Sequence, residues 1–122
     1  MSPDLELLAE ADAAAAQAYA PYSKFHVGAA VRTNDGRVFT GVNVENAAYP
    51  LGICAERSVI SAAAGAGYRP GDLEAIAINA SPCGGCRQWI AEFRIPSVTY
   101  RNNDGEPVAK APAELLPDSF VL

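Results

Sequence analysis

Three cysteines confined to two short stretches constrain this chain more than any other feature. One stretch reads Cys54-Ala55-Glu56-Arg57, the other Pro82-Cys83-Gly84-Gly85-Cys86-Arg87-Gln88. Three thiols cannot all pair within one chain, so disulfides do not account for them. Cys83 and Cys86 stand three apart at the start of a predicted helix and therefore share one face of it. Free N–H groups and the helix dipole at that end favour anions such as thiolates. Gly84 and Gly85 leave those amides uncovered. Cys54 opens another predicted helix and offers a third thiolate. Three protein ligands are one short of the four of a structural zinc site, whereas a catalytic zinc keeps its fourth position open. Glu56, two residues beyond Cys54, is then placed to relay a proton without being a ligand. Three thiolates around a divalent ion leave excess negative charge, and Arg57 is the nearest cation to offset it.

Blander readings stand beside these. Alone, Cys83-x-x-Cys86 fits a redox pair equally well. Glu56 alone is a solvated helix carboxylate, and Arg57 alone a surface ion-pair partner. Asn43 and Glu45 form a polar cluster that would serve as a strand-end cap. His26, the only histidine, lies next to a predicted strand and reads as structural. Trp89 reads as core or subunit packing. Arg87 and Gln88 have no evident role.

A chain of 122 residues is expected to form one domain, 1–122, and to bury roughly two thirds of its unfolded surface without staples. Half of it is hydrophobic and 19% charged, which excludes disorder. A formal net charge of −5 gives no footprint for a nucleic-acid polymer or an anionic membrane. It suits a small uncharged substrate. The start Met1-Ser2-Pro3-Asp4-Leu5-Glu6 lacks the pattern of a signal peptide, and no stretch resembles a membrane span. Three cysteines without an export signal point to a reducing, cytoplasmic setting.

Ser2 and Pro3 predict a helix N-cap and first turn, with the helix running to about Tyr19 and Pro21 stopping it. Val27 to Arg32 and Arg37 to Val44 read as strands joined by a hairpin turn at Asn34-Asp35-Gly36. Cys54 to about Ala66 is a predicted helix, Leu73 to Asn79 a buried strand, and Pro82 to about Phe93 a helix capped by Ser81. Val98 to Arg101 and Glu106 to Lys110 are short strands, and Pro112 to Leu116 a helical turn. This order predicts an α/β domain with a mixed sheet, and parallel crossovers from Val38 to Tyr100.

Cys-Ala-Glu followed by Pro-Cys-x-x-Cys resembles the zinc nucleoside and base deaminases, whose signature in a His-x-Glu form is a known pattern. Tyr22 to Ala30, Gly41 to Pro50 and Glu114-Leu115-Leu116-Pro117 extend the likeness to the small homotetrameric cytidine deaminases, in matching order over nearly the whole chain. The chain departs from that pattern in a short run from Ile76 to Cys83. The resemblance implies a three-layer α/β/α fold with about five strands and one Zn2+ per subunit on Cys54, Cys83 and Cys86. It implies Glu56 as proton shuttle. Asn43 and Glu45 would hold the ribose, Phe25 would pack on the pyrimidine, and backbone near Ala55 would read its edge. Neighbouring subunits of a homotetramer would complete each pocket with Ala47, Ala48 and Tyr49 from one and Phe120 from another. The implied reaction converts cytidine or 2′-deoxycytidine to uridine or 2′-deoxyuridine and ammonia, as in pyrimidine salvage. Two alternatives stay open: a deaminase of a nucleoside antibiotic or modified base, and a non-catalytic zinc or redox module in which Glu56 is freely replaceable.

Overall fold

Asn34-Asp35-Gly36 turns the chain back on itself, and the hairpin it makes sets one side of the sheet. β1 (Gly28–Thr33) pairs antiparallel with β2 (Val38–Val42), Gly28 opposite Val42 and Arg32 opposite Val38. The computed structural model describes Met1–Leu122 throughout. It adds β3 (Leu73–Ile78), β4 (Ser97–Arg101) and β5 (Pro107–Lys110). The order across the sheet is β2-β1-β3-β4-β5, with β3 and β4 parallel and the other pairs antiparallel. The sheet is mixed and five-stranded, as predicted.

The predicted run of parallel crossovers holds for one step only. β3 and β4 are parallel neighbours, but β1 lies between β2 and β3 and bonds to both. Burial explains the placement. Ala29, Ala30 and Val31 are all fully buried, so β1 needs cover on both faces and both edges. β2 exposes Val38 and Thr40 and stays at the rim.

Successive strand residues point to opposite faces, and the sheet has a core on each side. Helix α1 (Leu5–Ala14) covers one face, where Leu7, Leu8 and Ala11 meet Ala30, Ala75 and Ala77. Helices α2 (Ala55–Gly65) and α3 (Gly84–Glu92) cover the other, where Val59, Ile60 and Ile90 meet Ala29, Val31 and Ile78. The result is the three-layer α/β/α arrangement. Ile60, Ile76, Ile78 and Ile90 are essentially inaccessible, and each contributes about 2 kcal/mol relative to exposure. α2 lies unusually close to β2: a Cβ on Gly41 would stand 2.6 Å from Val59 N and 3.0 Å from Ala55 O.

Three element ends differ from expectation, two of them because tertiary contacts take over the backbone. Asp4, not Ser2, caps α1: Leu7 N donates to Asp4 Oδ1 at 3.1 Å. Asp4 is held there by the Arg32 guanidinium and by its own N–H donating to Thr99 Oγ1 at 2.9 Å. α1 ends at Ala14 and one 3-10 turn, Ala15–Gln17, follows. Tyr19 is outside the helix because its N–H donates to Asn43 O and its C=O accepts from Glu45 N. α3 starts at Gly84 with Cys83 as its N-cap, so Ser81 and Pro82 lie outside it. A short helix α4 (Pro112–Leu115) closes the chain. No helix is long and apolar enough to cross a membrane.

Candidate active site

Both predicted cysteine stretches do open helices. Cys54 is the N-cap of α2 and Cys83 the N-cap of α3, each with extended ψ and with its carbonyl accepting the first helical bond, from Ser58 N and Arg87 N respectively. Both helices thus begin at the cysteine cluster, and the Cys86 N–H in the first turn of α3 bears on the Cys83 thiol. The three Sγ atoms lie within 4.8 Å of one another. Cys83 and Cys86 are 3.4 Å apart and Cys54 and Cys83 4.0 Å. Tetrahedral zinc with Zn–S near 2.3 Å sets sulfurs about 3.8 Å apart, so this triangle fits a zinc ion with little movement.

The charges around the thiols fit a cation too. Burial raises the Cys86 and Cys54 thiols, and in Cys86 the nearby Glu56 charge adds to this. Burial also works to raise Cys83, but the Cys86 backbone N–H and the neighbouring thiols outweigh it and lower Cys83. Three thiolates this close therefore need a positive charge between them. Arg57 supplies part of it from behind. Burial opposes its charge, yet hydrogen bonding and attraction to Cys86, then to Cys54 and Cys83, hold it. Its Nε is buried without a partner. The guanidinium lies where a Cβ on Gly85 would collide with Nη2, so a glycine in the first turn of α3 makes room for it.

Glu56 is 4% exposed and has no cation in a salt bridge. Burial pushes its carboxyl above the usual range, and its own backbone N–H, the Cys86 thiol and Arg57 only partly offset this. A carboxyl raised toward neutrality beside a metal-binding triangle is suited to accept and return a proton.

The triangle stands at the end of a cavity of about 550 Å³. Cys54, Ala55, Glu56 and Cys83 line it together with Phe25, Asn43, Glu45 and Tyr49. Asn43-Val44-Glu45 is locked between two other segments. Val44 exchanges both backbone bonds with Ile53 at 3.0 Å, and Tyr19 bonds to Asn43 and Glu45. Asn43, Val44 and Glu45 all line the cavity. Glu45 accepts from Tyr22 N at 3.0 Å, Ser23 N at 3.1 Å and the Ser23 hydroxyl. That hydroxyl, first, and then the Ser23 N–H hold its carboxyl below the usual range, so it stays ionised.

The remaining expected site residues are placed otherwise. Cys86 and Arg57 lie behind the cavity wall rather than on it. Ala47 and Ala48 are exposed and outside the cavity, and Phe120 is 70% exposed, its carbonyl held by Gln88 Nε2 at 3.0 Å. Tyr49 lines the cavity of its own chain, edge-on to Tyr22 with ring centroids 6.3 Å apart. His26 belongs to no metal-ligating group. Trp89 is exposed on α3, beside Gln88, Glu92 and Phe93, so it is not part of the core.

Two residues without an evident role in the sequence acquire one. Arg87 Nε donates to Pro82 O at 2.8 Å and Nη1 to Leu115 O at 2.9 Å, tying the segment before Cys83 to α4. Gln88 holds Phe120. Their position directly after Cys86 was the only available signal.

Comparison with known proteins agrees with this geometry. Residues 1–102 match the model of the cytidine and deoxycytidylate deaminase zinc-binding region. The cytidine deaminase of Sporosarcina psychrophila is 44% identical over 94% of this chain and 89% of that protein. The crystal structure of cytidine deaminase from Burkholderia pseudomallei superposes with a TM-score of 0.89 at 46% identity, over 98% of this chain and all of that one. That of Mycobacterium leprae gives 0.79 at 42% identity, over 96% and 100%. With its zinc-binding region, full-length relatives and fold all in agreement, this chain belongs to the cytidine deaminase family.

Proposed function

We propose that this protein hydrolyses cytidine and 2′-deoxycytidine to uridine and 2′-deoxyuridine with release of ammonia, using one zinc ion per chain. The observation that carries the reading is a buried glutamate beside three converging thiols at the end of a nucleoside-sized cavity. Cys54, Cys83 and Cys86 would hold the ion. The chemistry it supplies when bound is activation of water, whose pKa falls to about 7.

The protein's own groups do the rest. Glu56 takes a proton from the attacking water and gives it to N3 of the pyrimidine. Attack at C4 makes that carbon tetrahedral. Glu56 then takes the remaining proton from the C4 hydroxyl and delivers it to the exocyclic nitrogen, which leaves as ammonia while the C4 carbonyl forms. Burial raises its carboxyl above the usual carboxylate range, the direction that suits a group that both accepts and returns a proton. The first-turn amides of α2 and α3 and the Arg57 charge stabilise the thiolates. Backbone near Ala55 reads the pyrimidine edge, and Phe25 packs on its face. Asn43 and Glu45 address the ribose hydroxyls. Asn43 keeps one N–H free beyond its bond to Phe25 O, and the Glu45 carboxylate has acceptor capacity beyond its loop bonds.

The cavity lining contains two glutamates and no Lys, Arg or His. A 5′-phosphate would find no cation there, which favours a free nucleoside over a nucleotide or a polynucleotide. Phe25, Tyr49, Leu51, Ile53 and Phe120 are all exposed, and Phe25, Tyr49 and Ile53 line the cavity. An apolar rim of this kind is expected to be covered by other copies of the chain, consistent with a homotetramer in which Ala47, Ala48 and Phe120 reach neighbouring pockets. Three unpaired thiols suit a reducing cytoplasm. Turnover of cytidine, deoxycytidine, deoxycytidine monophosphate and a short oligonucleotide, with zinc quantified, tests the reading. Nucleoside turnover alone is expected. Zinc-replete protein inactive on both nucleosides would refute it, and preference for a modified nucleoside or an antibiotic would redirect it.

A further inference from the structure

Two asparagines stand at matching positions in the sheet. Asn43 follows the last residue of β2 and Asn79 the last residue of β3, the two strands that flank β1. On both sides the backbone ladder gives out near the start of β1. Its last bonds run from Asn43 N to Val27 O, at 3.2 Å, and from Asn79 N to Gly28 O, at 3.3 Å. Beyond them the two side-chain amides take over. Asn43 Oδ1 accepts from Val27 N at 2.9 Å, and its Nδ2 donates to Phe25 O at 2.9 Å. Asn79 Oδ1 accepts from Gly28 N at 3.0 Å, and its Nδ2 donates to His26 O at 3.2 Å.

A side-chain amide carries the same donor and acceptor as a peptide group. Each asparagine thus extends its ladder by one step. Asn43 grips residues 25 and 27 from the β2 side, and Asn79 grips residues 26 and 28 from the β3 side. Alternate residues of an extended segment turn their backbone groups to opposite edges, so the two grips interleave without competing. The segment they hold carries Phe25. That ring is 62% exposed in the cavity wall, so core packing does not fix it and the backbone must.

We propose that Asn79 is a positioning residue for the substrate wall. It does not line the cavity; it acts through the backbone of His26 and Gly28 to fix Phe25, and so sets how tightly the pyrimidine is held rather than how fast it reacts. The kinetic part of this inference rests on the deaminase reading above.

The test uses zinc-loaded wild type, Asn79→Ala and the isosteric Asn79→Asp, which keeps the acceptor for Gly28 N but loses the donor to His26 O. Both variants are expected to keep zinc and to raise KM for cytidine about fivefold or more, with kcat within about twofold of wild type. Amide hydrogen exchange at Gly28 should accelerate in Asn79→Ala and stay slow in Asn79→Asp. A folded variant with the wild-type KM, or one whose kcat falls while KM holds, overturns the proposal. So does Gly28 exchange that Asn79→Ala leaves unchanged. Inactive wild type would instead remove the deaminase reading, and the exchange measurement would still decide whether Asn79 holds the segment.

Discussion

Gly41 is where the fold and the site meet, and substituting it tests their connection. The strand β2 and the helix α2 touch there through backbone: a Cβ at Gly41 would lie 2.6 Å from Val59 N, 2.9 Å from Val59 Cα and 3.0 Å from Ala55 O. No flexible side-chain end can swing aside, so Gly41→Ala must push the helix off the sheet. Opening the closest contact to the 3.4 Å of ordinary packing moves α2 by roughly 0.8 Å. Overpacking of this kind costs about 2 kcal/mol, which lowers Tm by about 8 °C for a domain of this size. α2 also carries Cys54 at its N-cap and Glu56 in its first turn. A displacement near 1 Å at a reacting group costs up to about 100-fold in rate, so kcat should fall by at least about tenfold. Gly65, the last residue of the same helix, has open space around it, and Gly65→Ala should leave Tm and kcat unchanged or raise Tm slightly. Calorimetry and steady-state kinetics on the pair measure both effects. A Gly41→Ala protein with wild-type Tm refutes the packing argument; a lowered Tm with unchanged kcat refutes the link from packing to chemistry.

Arg57→Ala is expected to keep zinc while lowering kcat about tenfold, the usual scale for groups that tune metal ligands; unchanged kinetics at full zinc occupancy would remove the charge-offset role. Ser23→Ala takes away the hydroxyl that most lowers the Glu45 carboxyl, so its titration, followed by NMR, should move up toward the ordinary value of 4.5. A depressed folded value stabilises the ionised form, so the Glu45 contribution is whole above pH 4.5 and is lost as pH falls through the folded value. Accordingly the Tm gap between wild type and Glu45→Gln should be present at neutral pH and close in acid, and a gap that widens in acid would contradict the sign.

Local chemistry made the metal centre readable. Cys54 and Cys83 sit at helix starts because each has a break before it and a helix-compatible run after it, and spacing alone puts Cys86 on the face of Cys83. Glu56 and Arg57 followed from their distance along the same helix. What sequence could not reveal were contacts between distant segments. Asp4 displaced Ser2 as a cap because Arg32 and Thr99 hold it, and neither is near it in the chain. β1 entered the sheet between β2 and β3 because its residues are apolar on both faces, whereas the order of elements alone suggested that β2 and β3 were neighbours. Asn79 read as the end of a strand; its grip on His26 and Gly28 spans about fifty residues. Arg87 likewise reaches α4. Residues that act on their own neighbours were legible, and those that tie remote segments together were not.

The most direct test of the central claim compares wild type with Glu56→Gln, measuring zinc content and cytidine turnover on the same samples. The account predicts one zinc per chain in both, with turnover of the variant lower by about 10²–10⁴-fold, because the amide keeps the shape of the carboxyl but cannot carry the proton. A zinc-loaded Glu56→Gln protein that deaminates cytidine at the wild-type rate would contradict it.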